Sequence, residues 1–260
     1  MESIQELKIK CQSQKRQKNF LVSIGYKYHR DISIYVTRFL LIIFPKIKPN
    51  AVSMAMIVIS LIGCAMILSS SLIMAIFGIV LVYFGFILDK VDGEIARYKE
   101  SCSVNGMYLD ELYHIIVPPA LLICFLSFGL GQSLSSLLLL LTVLLNILNR
   151  YNRKIAILIY IKSKAIKNIN FRAHNLKNSV KKILNSIVIK PFSIVDRFDI
   201  MILGILVLLI IELVWGVNLR LYYLYFYFVS STVYFLRWVV LNYYGGAESE
   251  IRVIKEKIEN

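Results

Sequence analysis

Six apolar runs, each close to the length of a membrane crossing, constrain this chain more than any other feature of its sequence. They cover about 51–70, 72–91, 107–130, 134–150, 200–218 and 221–243. A helix needs roughly 20 mostly apolar residues to cross the hydrocarbon core. Lipid offers no partners to backbone polar groups, so runs of this length cross as helices that pair those groups internally. The expected fold class is all-α integral membrane: six transmembrane helices with an N-terminal interfacial amphipathic helix. That leading helix is ISIYVTRFLLIIF (32–44), which carries Arg38 and stops at Pro45. It is too short to cross and is expected to lie along the membrane surface. A KIKPN elbow then leads into the first span.

Charge supports the same reading and gives it a direction. Only 18% of the residues are charged and 58% are hydrophobic, whereas an ordinary soluble domain carries about 25% charged residues. The formal net charge is +14, yet the Lys and Arg residues lie between apolar runs and form no nucleic-acid-binding module. No nucleic acid partner is expected. Basic residues concentrate in the first 50 residues and in 150–199, while the connections at Ser69–Ser71 and Gly131–Ser133 have none. The positive-inside rule then places both termini and the basic loops in the cytoplasm, in a multi-pass protein of the cell membrane. The same cations suit anionic headgroups, which makes membrane lipid an expected partner.

The chain is expected to divide into a cytoplasmic N-terminal segment (1–31), an interfacial helix and elbow (32–48), a six-helix transmembrane domain (49–244) and a cytoplasmic tail (245–260). A basic cytoplasmic loop occupies 163–199. Within it KNSVKKILNSIVIK (177–190) reads either as an amphipathic surface helix or as a solvated loop. Cys11, Cys64, Cys102 and Cys124 have no metal-site spacing, and a reducing cytoplasmic face argues against any disulfide. Residues 1–31 are polar and basic, so no cleavable signal peptide is expected.

The segment LDKVDGEIARYKESCSVNGMYLDELYH (88–114) places carboxylates where apolar helices meet the membrane edge. Ionisable groups are costly there and read as a functional site. On a helix, Asp89 and Asp92 are three apart and share a face, which Ala96 and Arg97 continue one turn on. Asp110 and His114 are four apart on the next helix. Two antiparallel helices joined by the turn YKESCSVN bring three carboxylates and an imidazole together. Like charges that close need something positive between them. A hard divalent cation suits, since Mg²⁺ commonly takes a few carboxylates plus substrate phosphates. Gly93, Ala96 and Gly106 leave room for a flat or phosphorylated ligand, or else only let two helices pack closely. Arg97 stays charged beside phosphates. Asp199 reads as the N-cap of span five, and Glu212 either pairs within the bundle or sits at the outer interface beside Trp215.

The pattern Asp89-x2-Asp92-Gly93-x2-Ala96-Arg97-x8-Gly106-x3-Asp110 fixes seven positions over 22 residues. It resembles the signature of the CDP-alcohol phosphotransferase (CDP-alcohol phosphatidyltransferase) family. RDISIYVTR (30–38) and PNAVS (49–53) are similar to the leading segment of that family's inositol-phosphate-using branch, and the resemblance covers roughly 30–240. It implies metal-dependent transfer of a phospho-alcohol, phosphatidyl-type group from a CDP-alcohol donor to an acceptor hydroxyl, with release of CMP. The donor is a lipid or a polyol, the acceptor is phosphorylated in the inositol-phosphate branch, and the product is a phospholipid or a polyol phosphodiester. The resemblance further implies one or two divalent ions, Mg²⁺ or Mn²⁺, held by Asp89, Asp92, Asp110 and the residue at 114. The CDP moiety falls to Asp92, Gly93, Ala96, Arg97 and Gly106. Arg150, Arg153 and Arg197 stand in places similar to those that bind an acceptor phosphate, and a homodimer is implied.

One position departs from the family. Its fourth motif aspartate, proposed as ligand and general base, is His114 here. A neutral imidazole, with an ordinary pKa of about 6.5, takes a proton readily. It is a weaker partner for Mg²⁺ than for softer ions such as Mn²⁺ or Zn²⁺. His114 therefore reads as the catalytic base beside Asp110, as a metal ligand, as a non-catalytic substitution, or as the mark of a CDP-binding protein that has lost its chemistry. Glu111 lies about 100° around the helix from Asp110 and is not placed to substitute. Outside the enzyme class, intramembrane carboxylates also line ion paths, so a small ion or solute transporter is the alternative.

Overall fold

The structure, a computed structural model, describes residues 3–12, 20–69, 71–127, 136–151, 194–195 and 197–241. Every element among them is a helix. In chain order these are α1 (Ile4–Gln12), α2 (Phe20–Ile43), α3 (Pro49–Ile67), α4 (Leu72–Tyr98), α5 (Val104–Ser127), α6 (Ser136–Tyr151), α7 (Phe198–Trp215) and α8 (Arg220–Leu241). By length and composition α3, α4, α5 and α7 each suffice to cross a membrane, and α6 is a shorter apolar helix. At 22 residues α8 has the length, with an aromatic-rich sequence. The all-helical membrane fold stands. The chain forms two compact units, Met1–Phe125 and Leu126–Asn260.

In the first unit α3 packs along α4, and α1 and α2 pack on α4 as well. Glycine decides how closely α3 and α4 approach. A Cβ on Gly63 would lie 2.5 Å from the carbonyl oxygen of Gly78, and one on Gly78 equally close to that of Gly63. Gly85 leaves room for the Ser60 hydroxyl, and Ser53 hydrogen-bonds Asp92 further along. Partner numbers fall on one helix as they rise on the other, so the pair is antiparallel. Small residues that let backbones touch are a recurrent means of helix association in lipid.

The termini of these helices are well made. Pro49 opens α3 behind Lys48, where its missing N–H is no loss. Ser71 caps α4, its side chain accepting from the backbone N–H of Met74. At 27 residues α4 is about 40 Å long, more than the ~30 Å hydrocarbon core, so it outruns the span expected at 72–91. Its end is a Schellman turn: Ser101 N donates to Ala96 O at 2.9 Å and Glu100 N to Arg97 O at 3.3 Å. Glu100 takes the left-handed position with φ 51, where glycine is usual. Lys99 Nζ then donates to the carbonyls of Pro45 (2.7 Å) and Ile47 (2.6 Å), tying the elbow to this turn.

The leading helix differs from expectation. It was expected over 32–44, but α2 begins at Phe20, twelve residues earlier. His29 and Arg30, which look like linker residues, are buried. His29 Nδ1 lies 3.1 Å from Tyr83 Oη, and its ring meets Phe86 edge-on. Ser33 and Thr37 occupy the inner face of α2, whereas Tyr28, Tyr35, Phe39 and Ile42 are exposed. Polar residues thus face inward, which a hydropathy reading does not anticipate.

In the second unit α7 ends at Gly216, left-handed with φ 66, and α8 starts at Arg220. Glu212 finds its partner here. Arg220 Nε donates to Glu212 Oε2 at 3.0 Å, with the Arg220 side chain buried and that of Glu212 13% exposed. On α6, Asn146 Nδ2 donates to Tyr227 Oη at 2.7 Å and Asn149 Nδ2 to Ser231 O at 3.2 Å, linking α6 to α8. Asp199 is not the cap expected of it. Arg197 holds the N-cap position, and Asp199 sits in the first turn. Cys11, Cys64, Cys102 and Cys124 are free thiols in the structure.

Two substitutions test this architecture. Gly78→Leu drives its side chain into backbone that no rotamer change can move, and is expected to cost about 2 kcal/mol or more. Thermal unfolding in detergent reads it as a lowered midpoint, and an unchanged midpoint would mean the α3–α4 crossing is looser than described. Arg220→Ala strands the Glu212 carboxylate in an apolar setting, with an expected loss of about 3–5 kcal/mol. The double variant Glu212→Leu/Arg220→Leu should regain most of that midpoint.

Candidate active site

The last three turns of α4 and the first three of α5 carry the motif. Ser103 caps α5, accepting from Gly106 N at 3.1 Å while its hydroxyl donates to Asn50 Oδ1 at 3.3 Å. A Cβ on Gly106 would sit 3.1 Å from that same Asn50 oxygen. The absence of a side chain at 106 therefore lets α5 start against α3. Further along α5, Pro118 and Pro119 lie inside the helix. They cannot donate to the carbonyls of His114 and Ile115, which leaves the helix ladder open just beyond the site.

The geometry gathers three of the four expected ligands. Asp89, Asp110 and His114 each offer a ligand atom, and these atoms all lie within 4.8 Å of one another. His114 Nε2 is 3.6 Å from Asp89 Oδ1 and 3.6 Å from Asp110 Oδ1. The Asp89 side chain is only 2% exposed, whereas those of Asp110 and His114 are 46% and 32% exposed. One carboxylate is thus fixed in the protein and two groups reach into open space. Two carboxylates and an imidazole are a fitting donor set for a divalent cation, with the nitrogen widening the choice toward Mn²⁺.

Asp92 stands apart from the three. Its Oδ2 accepts a 2.6 Å hydrogen bond from Ser53 Oγ, which holds it against α3. Lys90 is an addition that motif reading passed over. Its ammonium pairs with Asp89 and lies 4.8 Å over the Phe86 ring. A cation already beside Asp89 lowers the repulsion among the carboxylates. Glu111, as expected from its helical angle, does not line the cavity.

A cavity of about 280 Å³ opens beside the cluster. Asp89, Asp92, Gly93, Ala96, Arg97, Gly106, Asp110 and His114 all line it, so every motif position faces one space. Arg30, Asn50 and Ser53 complete the wall from α2 and α3. The signal for the latter two lay in PNAVS, and Arg30 opens RDISIYVTR, the other segment that resembles the family. Gly93 has a local purpose too: a Cβ there would come 3.3 Å from Arg97 Nη1, so its absence lets the guanidinium fold across the helix face.

The expected acceptor arginines belong to the second unit where they are described. Arg150 Nε donates to Asn146 Oδ1 at 3.2 Å, and its guanidinium carbon lies 5.9 Å from the Phe198 ring centre. Arg197 engages both oxygens of Asp199, at 3.1 and 2.6 Å. This fork uses two of the five N–H donors of the guanidinium. Arg153, the basic segment 177–190 and the tail lie outside the described residues.

A family model described as CDP-alcohol phosphatidyltransferase matches residues 46–189, more than half of the chain. The match contains the whole motif from Asp89 to His114. No curated protein matches the chain. Members of the family carry a phospho-alcohol group from a CDP-alcohol to an acceptor, and the family uses divalent metal. With the motif helices folded into one cavity and the family match laid over them, the chain belongs to the CDP-alcohol phosphatidyltransferases.

Proposed function

We propose that this protein moves a phospho-alcohol group from a CDP-linked donor, lipid or polyol, to an acceptor hydroxyl at the cytoplasmic face of the membrane, releasing CMP. The observation that carries this reading is the convergence of Asp89, Asp110 and His114 in the cavity lined by Gly93, Ala96, Arg97 and Gly106. A divalent cation, Mg²⁺ or Mn²⁺, supplies charge neutralisation at the phosphoryl oxygens and the departing CMP when it is bound.

The chain's own groups account for the rest. Asp89 is the rigid carboxylate, buried and paired with Lys90, while Asp110 extends into the cavity from the opposite helix. Arg97 contributes a permanent positive charge for the donor phosphates. Small residues at 93, 96 and 106 leave the wall open to the nucleotide. His114 is the base: its Nε2 lies at the cavity wall, 3.6 Å from one carboxylate oxygen of Asp89 and 3.6 Å from one of Asp110. It takes the hydroxyl proton as the acceptor oxygen bonds to the phosphorus bearing the alcohol. The bond from that phosphorus to the CMP oxygen breaks, and CMP departs with the electron pair. Asn50 and Ser53 keep α3 in register beneath these groups. The basic residues flanking the spans favour a cytoplasmic opening, where soluble nucleotide is available.

The test is CMP release from a panel of CDP-alcohols with candidate acceptors, products being identified by mass spectrometry. Asp89→Asn and Asp110→Asn are each expected to lower release on the order of 100-fold or more. Unchanged release in either variant would falsify the reading. His114→Ala should depress kcat on the order of 100-fold or more while donor binding stays within a few-fold. Equal losses of binding and turnover would instead assign His114 to the metal.

A further inference from the structure

Glu94 occupies an unspecified position of the motif, between Gly93 and Ala96, and it does not line the cavity. Its side chain is wholly buried. A carboxylate so placed is expensive unless its oxygens are well supplied with donors. Three reach it: Ser33 Oγ and Gln12 Nε2 donate to Oε1, and Thr37 Oγ1 donates to Oε2, each at 2.7 Å. All three are neutral, and they come from α1 and α2. One anion of α4 thus fastens two other helices.

The fastening bears on the cavity through α1. Two guanidiniums line the cavity, Arg30 from α2 and Arg97 from α4. Each donates to a carbonyl in the last turn of α1: Arg97 Nε to Cys11 O, and Arg30 Nη1 to Gln12 O at 3.4 Å. Carbonyls at a helix C-terminus are the natural partners of such cations. Gln12 Nε2, which binds Glu94, also donates to Arg30 O at 3.0 Å. Glu94 therefore holds the turn against which both arginines rest. Remove the carboxylate, and Gln12 keeps only the Arg30 carbonyl, which loosens the turn that supports the two guanidiniums.

We infer that Glu94 is a positioning residue for ligand phosphate, acting through Gln12 and the end of α1 to hold Arg30 and Arg97 at the cavity wall. The inference rests on the donor reading above, since it assigns those two arginines to a phosphorylated ligand. Arginine binds phosphate through a planar fork, so small changes in its orientation matter more than its mere presence.

The experiment measures CDP binding by calorimetry, with Mn²⁺ present, on the full chain in detergent. Mn²⁺ affinity is read separately by electron paramagnetic resonance. Glu94→Ala and Gln12→Ala are each expected to weaken CDP binding on the order of tenfold or more, and to leave Mn²⁺ affinity within twofold. Glu94→Gln should largely restore CDP binding, because hydroxyl partners can reverse their roles and accept from an amide. CDP affinity equal to wild type in Glu94→Ala or Gln12→Ala overturns the inference. So does a parallel fall in Mn²⁺ affinity, which would mean general damage rather than loss of a phosphate wall. The outcomes separate this inference from the donor reading: wild-type protein that binds no CDP sinks both, whereas wild-type binding matched by Glu94→Ala sinks only the role given to Glu94.

Discussion

Contact between two helix backbones sets the register on which everything else in the first unit depends. Where Gly63 meets Gly78, neither helix has a side chain to hold the other away. Sliding α3 along α4 by one turn would move a neighbouring residue with a Cβ into that contact. The crossing therefore admits very few registers, and the one it selects carries through to the far end of the pair. There Ser53 falls opposite Asp92, and Asn50 reaches Ser103 and the start of α5. A chain in lipid gains little from burying apolar surface between helices, since lipid tails are equally apolar. Steric selection by glycine supplies the specificity that hydrophobic burial supplies in water.

Given that register, the electrostatics of the site follow from what stands near Asp89. Its carboxylate is nearly sealed from solvent, yet it faces Lys90 on one side and His114 on the other. A fourth carboxylate at 114 would add repulsion that only further bound cation could relieve. With histidine there and Lys90 alongside, the cluster is less dependent on bound metal for its shape. The substitution also changes what the position offers, from a hard anionic oxygen to a neutral nitrogen with one lone pair. Nε2 cannot coordinate a cation and accept a proton at the same moment, so a base role requires the metal to be held chiefly by the carboxylates.

Much of this was legible in the sequence, because the main signals are periodic. Spans announce themselves by length and hydropathy, and spacings of three and four place Asp89 with Asp92 and Asp110 with His114. What was not legible depended on contacts between distant segments. The start of α2 was missed because His29 and Arg30 look like exposed linker residues, and only Tyr83 and Gln12 make them interior ones. Asp92 was grouped with the other carboxylates by spacing, but a serine 39 residues away claims one of its oxygens. Asp199 had a capping position by sequence, yet Arg197 two residues earlier binds it more fully than a helix end does. Glu212 fits two settings by sequence, and Arg220, beyond a four-residue turn, supplies its counter-charge.

Buried acids in one helix need not share a purpose, and α4 shows how partners separate them. Glu94 has donors for both its oxygens, all neutral and all from within the unit, so it has no call on an outside cation. Asp89 has Lys90 on one oxygen, but the other faces His114 across 3.6 Å, too long for a hydrogen bond. Oxygen and nitrogen atoms at that spacing, open to a cavity, leave room for a small cation between them. The distinction lies in geometry and not in residue type, burial or position along the helix. It is why two carboxylates five residues apart can act so differently, one as a rivet between helices and the other as part of the candidate site.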